Sequence, residues 1–65
     1  MKFKTSEDML DISCYTDDYD YLGVITFSPC DGDVMFFPID TFVYSRHDLL
    51  SISDNIAKLR RMYEE

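Results

Sequence analysis

The residues of this chain best suited to nucleophilic, acid–base or metal chemistry are two cysteines and one histidine. Cys14 and Cys30 do not form the close ligand pairs that a zinc site needs. No secretory signal precedes them, so we expect buried or partly buried free thiols rather than a disulfide. His47 adjoins Asp48, but neighbouring residues on a helix point in different directions. No nucleophile accompanies the pair, which predicts a surface histidine in a first helical turn.

Acidic residues cluster in turn-like segments without the spacing of a calcium loop. Asp18 and Asp20 are followed by Leu22 where a ligand would stand, and no glutamate closes the loop. The chain holds two glycines and no phosphate-binding glycine loop. A chain of 65 residues can hardly form a catalytic cleft. We therefore predict no enzymatic activity, no metal and no cofactor.

The net charge of −7 is concentrated in the first part of the chain. From Glu7 to Asp40 there are nine acidic residues and no basic one, whereas acids and bases balance after Thr41. Direct binding to nucleic acid or to an anionic membrane is disfavoured, because both need Lys and Arg. No apolar run approaches the ~20 residues of a membrane span. Without a signal segment, the expected location is the cytoplasm.

The chain is short enough for one domain only, residues 1–65, and its composition is globular. Residues 1–8 read as a polar lead-in. Alternating apolar and polar residues predict a first strand at about 9–15. A helix over residues 6–13 is the alternative at this position.

The clearest signal is a hairpin with strands at about 21–28 and 33–39. Asp31-Gly32 supplies residues that tolerate positive φ in the turn between them. Gly23 marks a bulge or a close approach of another backbone, and Pro38 indicates an edge strand or a strand end. Residues 41–44 form a connection that could extend the strand.

A helix is predicted at about 46–63, with Ser45 and Asp48 as a capping box. Leu49, Ile52, Ile56, Leu59 and Tyr63 form an apolar stripe. Packing of this stripe on the sheet is favoured over a coiled-coil seam, which needs more heptads. The predicted class is α+β: a three-stranded antiparallel β-meander followed by one C-terminal helix.

One helix can cover only one face of such a sheet, so apolar side chains are left over. If the helix covers Leu22, Val24, Val34 and Phe36, the other face is apolar. The predicted outward set is Ile25, Phe27, Met35, Phe37 and Ile39; the reverse assignment stays open. An apolar patch of this kind on a small protein indicates an interface, either with a partner or in a homodimer. The alternative is that strand 1, residues 42–44 and Phe3 fold over the patch.

These features predict a small acidic protein-binding module that occupies a basic, nucleic-acid-binding surface of another protein. The predicted contact acids are Asp17, Asp18, Asp20, Asp31 and Asp33, whose carboxylates would take the place of phosphates. In size, acidity and lack of catalytic motifs, the chain resembles phage-encoded proteins that inhibit host enzymes, some of which mimic DNA. The resemblance is one of type, and no motif transfers residue roles.

The alternative is a homo-oligomeric interaction or scaffold protein. It would use the apolar sheet face or the helix seam, and its acidity would serve only solubility. The two hypotheses differ in their dependence on salt, because only the first requires attraction between opposite charges.

Overall fold

A computed structural model describes residues 1–39 and 43–64 as a four-stranded sheet and a helix. The strands are β1 (Lys2–Thr5), β2 (Asp11–Tyr15), β3 (Tyr21–Ser28) and β4 (Asp33–Pro38), and the helix is α1 (Arg46–Glu64). The sheet is antiparallel with the order β1-β2-β3-β4. The predicted α+β class with a C-terminal helix is confirmed, but the prediction of three strands is wrong.

The missed strand is β1, in the segment predicted as a polar lead-in. It pairs with β2 so that Phe3 lies opposite Cys14, and Phe3 packs against the core. A single apolar residue among lysines and threonine gives no recognisable alternation, which is why the sequence pattern did not reveal it. β2 is a strand and not a helix, and it starts at Asp11 because residues 6–10 form the turn from β1.

The three hairpin turns share one feature of backbone conformation. Each contains a residue with positive φ near its end: Met9 (61°), Tyr19 (66°) and Gly32 (66°). In the first two turns, the N–H of that residue donates to the carbonyl three positions earlier, at Ser6 and Thr16. A tight turn followed by such a residue is a common way to close a hairpin. Only the third turn uses glycine there, so only it carried a strong sequence signal.

A bulge in β3 decides which side chains face the helix. Tyr15 pairs with Tyr21 while Cys14 pairs with Gly23, so Leu22 is an extra residue in β3. Leu22 and Ile25 therefore both point to the core, where Ile25 is fully buried. The predicted placement of Ile25 on an outward face is wrong, because strict alternation fails across the bulge.

Gly23 also lies where another backbone approaches closely, so both interpretations of this glycine hold. An added Cβ would lie 2.4 Å from the carbonyl oxygen of Phe37 and 2.8 Å from Cα of Pro38. β4 ends at Pro38, as the proline indicated. Asp40 lies outside the described residues. The predicted connection at residues 41–44, which could extend the strand, also begins outside them.

The helix starts at the predicted capping box. The Ser45 N–H donates to the Asp48 carboxylate at 3.2 Å, and the Asp48 N–H donates to Ser45 Oγ at 3.1 Å. Ile52 and Leu59 are buried against the sheet, and α1 contacts β2, β3 and β4. Ile52 and Leu59 are therefore part of the core, Ile56 packs against it, and these stripe residues are not available as a helix seam. The buried core is Ile12, Cys14, Leu22, Ile25, Val34, Ile52 and Leu59.

Candidate functional site

The sheet face opposite α1, called the outer face here, is the main candidate surface. The register places Val24 beside Phe37 and Thr26 beside Met35 on it. Met35 and Phe37 are 39% and 41% exposed, whereas Val24 is half-buried. These three residues, the apolar strip, lie on the two strands farthest from β1. Sequence reasoning placed Val24 under the helix because it did not allow for the bulge.

The predicted apolar set divides between two faces. Met35 and Phe37 lie on the outer face, and Ile39, just beyond β4, is 61% exposed. Phe27 is 37% exposed, but it lies on the helix side and stacks on Tyr63 with ring centroids 5.2 Å apart. Ile25 is in the core. The surplus of apolar surface is therefore smaller than predicted, and it is concentrated on β4.

Polar and aromatic groups border the apolar strip. Tyr15 and Tyr21 pair on the outer face, with ring centroids 5.6 Å apart. Lys2 and Lys4 occupy the β1 side of the same face, as their pairing with Tyr15 and Ser13 shows. The outer face thus changes across the strands from basic to apolar. Its ends are formed by the turns.

The five predicted contact acids do not form one array. Asp17, Asp18 and Asp20 lie in the β2–β3 turn, whereas Asp31 and Asp33 lie at the β3–β4 turn. These turns are at opposite ends of β3, whose 8 residues span about 26 Å at the usual strand rise. The structure therefore separates the acids into two groups, one at each end of the outer face.

Some of these carboxylates are already engaged within the chain. Asp33 accepts hydrogen bonds from Arg60 Nε at 2.9 Å and Arg60 Nη2 at 3.0 Å. Asp17 accepts one from the Met1 amino group at 2.8 Å, and Ser28 Oγ donates to Asp31 at 2.8 Å. The Arg60 bond, reinforced by the Val34 amide, lowers the pKa of Asp33. The hydrogen bond from the amino terminus and its charge lower the pKa of Asp17.

Asp18 and Asp20 differ from the other three acids. Their main-chain N–H groups donate to Thr16 Oγ1, which shapes the turn. Within the described residues, no hydrogen bond or ion pair engages their carboxylates. Both residues are exposed, and Tyr19 between them is exposed as well. These two acids are thus the members of the predicted set most open to an external cation.

The residues suited to nucleophilic chemistry are not brought together. Cys14 is buried in β2, and burial raises the pKa of its thiol to about 11. Cys30 is a free, exposed thiol in the β3–β4 turn, so the prediction that it is at least partly buried is wrong. His47 is exposed in the first turn of α1, as predicted. Within residues 1–39 and 43–64, no three His, Cys, Asp or Glu side chains form a group suited to a metal ion.

Two surface pockets among the described residues are small. One, of about 130 Å³, lies between Met1, Leu22 and Asp48, and the other, of about 150 Å³, lies between Phe27, Arg60 and Tyr63. Pockets that enclose drug-sized molecules are usually about 300 Å³ or larger.

In the part of the chain that is described, α1 lacks the length of apolar sequence needed to cross a bilayer. No protein-family model, curated protein or solved structure matches the chain.

Proposed function

We propose that this chain is a small acidic protein-binding module that occupies a basic surface of a partner protein. The observation that supports the proposal is the outer face itself. It lies opposite α1, it carries the exposed apolar strip, and it is bounded at both ends by acidic turns. An apolar area bordered by charged groups is the usual composition of a protein interface.

The geometry refines which acids would contact the partner. Asp18 and Asp20 are exposed, and within the described residues their carboxylates form no hydrogen bond or ion pair, so they can bind a partner cation without losing an existing bond. Asp33 would first have to release Arg60. The β2–β3 turn is therefore the preferred electrostatic contact, with the apolar strip as the adjoining apolar contact.

A basic groove that normally binds nucleic acid is the partner surface that fits this charge. Such grooves carry closely spaced Lys and Arg side chains, which bind carboxylates as well as phosphates. Inhibition of a nucleic-acid-processing enzyme in the cytoplasm, of the phage-encoded type, is the corresponding biological role. The excess negative charge would also speed association with such a partner.

The test has two stages: capture of partners from a lysate of the source cells, followed by titration of the purified partner. We expect affinity to fall steeply as salt rises, and duplex DNA to compete for the same surface. The double variant D18N/D20N should weaken binding by about tenfold or more. The matched control D54N/E64Q removes the same charge from α1 and should bind nearly as well as the wild type.

Binding that is indifferent to salt, to competing DNA and to D18N/D20N would refute this function. A partner that binds through the apolar strip alone would give that result, and F37E would then abolish binding. The paired variants thus separate an electrostatic partner from an apolar one.

The alternative function is homo-oligomerisation through the outer face, and the exposure of Met35 and Phe37 favours it. Four strands over about five residues give a flat area of only about 300 Å². Stable interfaces bury about 800 Å² per partner, so this face alone is small for a dimer. Sedimentation of the wild type and of F37E tests this alternative: a dimer that F37E disrupts would support it, and a monomeric wild type would refute it.

A further inference from the structure

The two edges of the sheet are protected to different degrees. β1 is a short strand with lysines at two of its positions, and both features discourage pairing with another chain. β4 is longer, carries Met35 and Phe37 on the outer face, and has no lysine. Within the described residues, no strand pairs with its second edge. The backbone groups of β4 show what keeps this edge from pairing with another strand.

The hydrogen-bonding phase of β4 shows which backbone groups face the open edge. The Ile39 N–H donates to the Leu22 carbonyl, and the β3–β4 register continues without a shift. In an antiparallel pair, alternate residues bond to the neighbouring strand. Asp33, Met35 and Phe37 therefore bond to β3, and the backbone groups of Val34, Phe36 and Pro38 point outward.

Two of these three outward positions offer no free donor. Pro38 has no N–H. The Val34 N–H donates to Oδ1 of Asp33 at 2.7 Å, and Arg60 holds the same carboxylate from the helix through two bonds. The Asp33 side chain, which Arg60 holds from α1, therefore occupies one of the N–H donors at this edge. Within the described residues, the N–H of Phe36 is the donor that remains at the open edge.

We propose that Asp33 prevents the backbone of the β4 edge from pairing with a second copy of this chain. A two-fold register centred on Phe36 would place Val34 opposite Pro38, and Met35 opposite Phe37, of the other copy. The ladder would contain two bonds between the Phe36 residues and one from each Val34 N–H to a Pro38 carbonyl. Asp33 withholds the two Val34 donors, which are half of that ladder.

The register is self-complementary in side chains and in charge. Met35 and Phe37 meet across the two copies on the outer face, where apolar cross-strand pairs stabilise a sheet. Each Asp33 lies beside Ile39 of the other copy and not beside the other Asp33. If Asp33 did not occupy the Val34 N–H, the β4 edge would therefore pair more favourably with a second copy of the chain than with a random partner strand.

The test compares D33A with D33N. Alanine removes the acceptor and frees the Val34 N–H, whereas asparagine keeps a carbonyl oxygen that can cap it. We expect D33A to self-associate about tenfold to a hundredfold more tightly than the wild type in sedimentation experiments. D33N should remain monomeric, like the wild type. Amide hydrogen exchange should show the Phe36 N–H becoming protected only in D33A.

Further variants keep the proposal falsifiable. D33V also lacks an acceptor and suits a strand, so it replaces D33A if alanine unfolds the chain. D33A/M35K adds a lysine to the edge and should return the chain to a monomer. Monomeric D33A and D33V with an unprotected Phe36 amide would overturn the proposal. So would D33N that associates as tightly as D33A, or a wild type whose Phe36 amide is already protected by dimerisation.

Discussion

Cys14 and Cys30 differ in environment although both are free thiols. Cys14 has no solvent exposure, and burial raises its pKa to about 11, so it is protonated at neutral pH. The thiolate is the reactive form, so Cys14 is protected by burial and by protonation. We expect a thiol reagent to modify Cys30 rapidly in the native protein and Cys14 only on unfolding. Mass spectrometry of native and urea-unfolded samples checks this, and fast native labelling in the C30S variant would contradict it.

Met9 has a backbone conformation that favours glycine. Its φ is 61°, and its side chain is largely exposed, so little packing offsets the strain. M9G should raise the free energy of unfolding by about 0.5–1 kcal/mol, the net of released strain and added flexibility of the unfolded chain. Urea denaturation measures the change. E7G in the same turn is the control: Glu7 does not have positive φ, so stability should fall there.

Tyr19 occupies the equivalent position in the acidic β2–β3 turn, and it differs from Met9 in having a partner. The Lys2 ammonium lies 5.0 Å from the centre of its ring. Such a contact at an exposed site offsets part of the backbone strain. Tyr19 is exposed and lies between Asp18 and Asp20 in the sequence, beside the contact proposed for a basic partner.

At the scale of elements, the bulge in β3 depends on Gly23. Its φ of 153° lies in a region almost closed to other residues, and an added Cβ would collide with the backbone of β4. G23A should therefore lower the free energy of unfolding by about 3 kcal/mol or more. G32A is the matched control, because its φ is also positive but no atom lies within 4 Å of the added Cβ. It should cost only about 1 kcal/mol in the same urea titration.

The sequence predicts the elements whose signals are local. The Asp31-Gly32 turn and the Ser45–Asp48 capping box were both identified correctly, since each depends on residues a few positions apart. The β1–β2 hairpin was missed because β1 holds a single apolar residue, Phe3, and its turn has no glycine to mark it. A comparison of turns could have found it: Ser6-Glu7-Asp8-Met9 and Thr16-Asp17-Asp18-Tyr19 share a hydroxyl, two acids and a large final residue.

The candidate site is less predictable because it depends on distant contacts. Consecutive hairpins place the β2–β3 and β3–β4 turns at opposite ends of β3. The separation of the acids into two groups could therefore have been predicted from the sequence. The pairing of Asp33 with Arg60 joins residues 27 positions apart, and no local pattern indicates it. The outward placement of Val24 depends on one extra residue in β3, which reverses the side-chain alternation of the strand's first part.

At the scale of the whole molecule, acid groups held by hydrogen bonds link stability to pH. Hydrogen bonds from Ser6 and Leu10 lower the pKa of Asp8, Arg60 and the Val34 amide lower that of Asp33, and the amino terminus lowers that of Asp17. A carboxyl group whose pKa is lower in the folded state stabilises the fold when it is ionised. This contribution is complete above the ordinary value of 3.8 and is lost as pH falls through the lower folded value.

We therefore expect the urea midpoint to fall as pH is lowered from about 5 to about 2. The double variant D8N/D33N lacks two of the three groups and should show a smaller fall, although its midpoint at neutral pH is lower. The control variant D18N/D20N removes the same charge without removing a side-chain hydrogen bond among the described residues. Equal slopes for the wild type and D8N/D33N would show that acid sensitivity arises from net charge and not from these bonds.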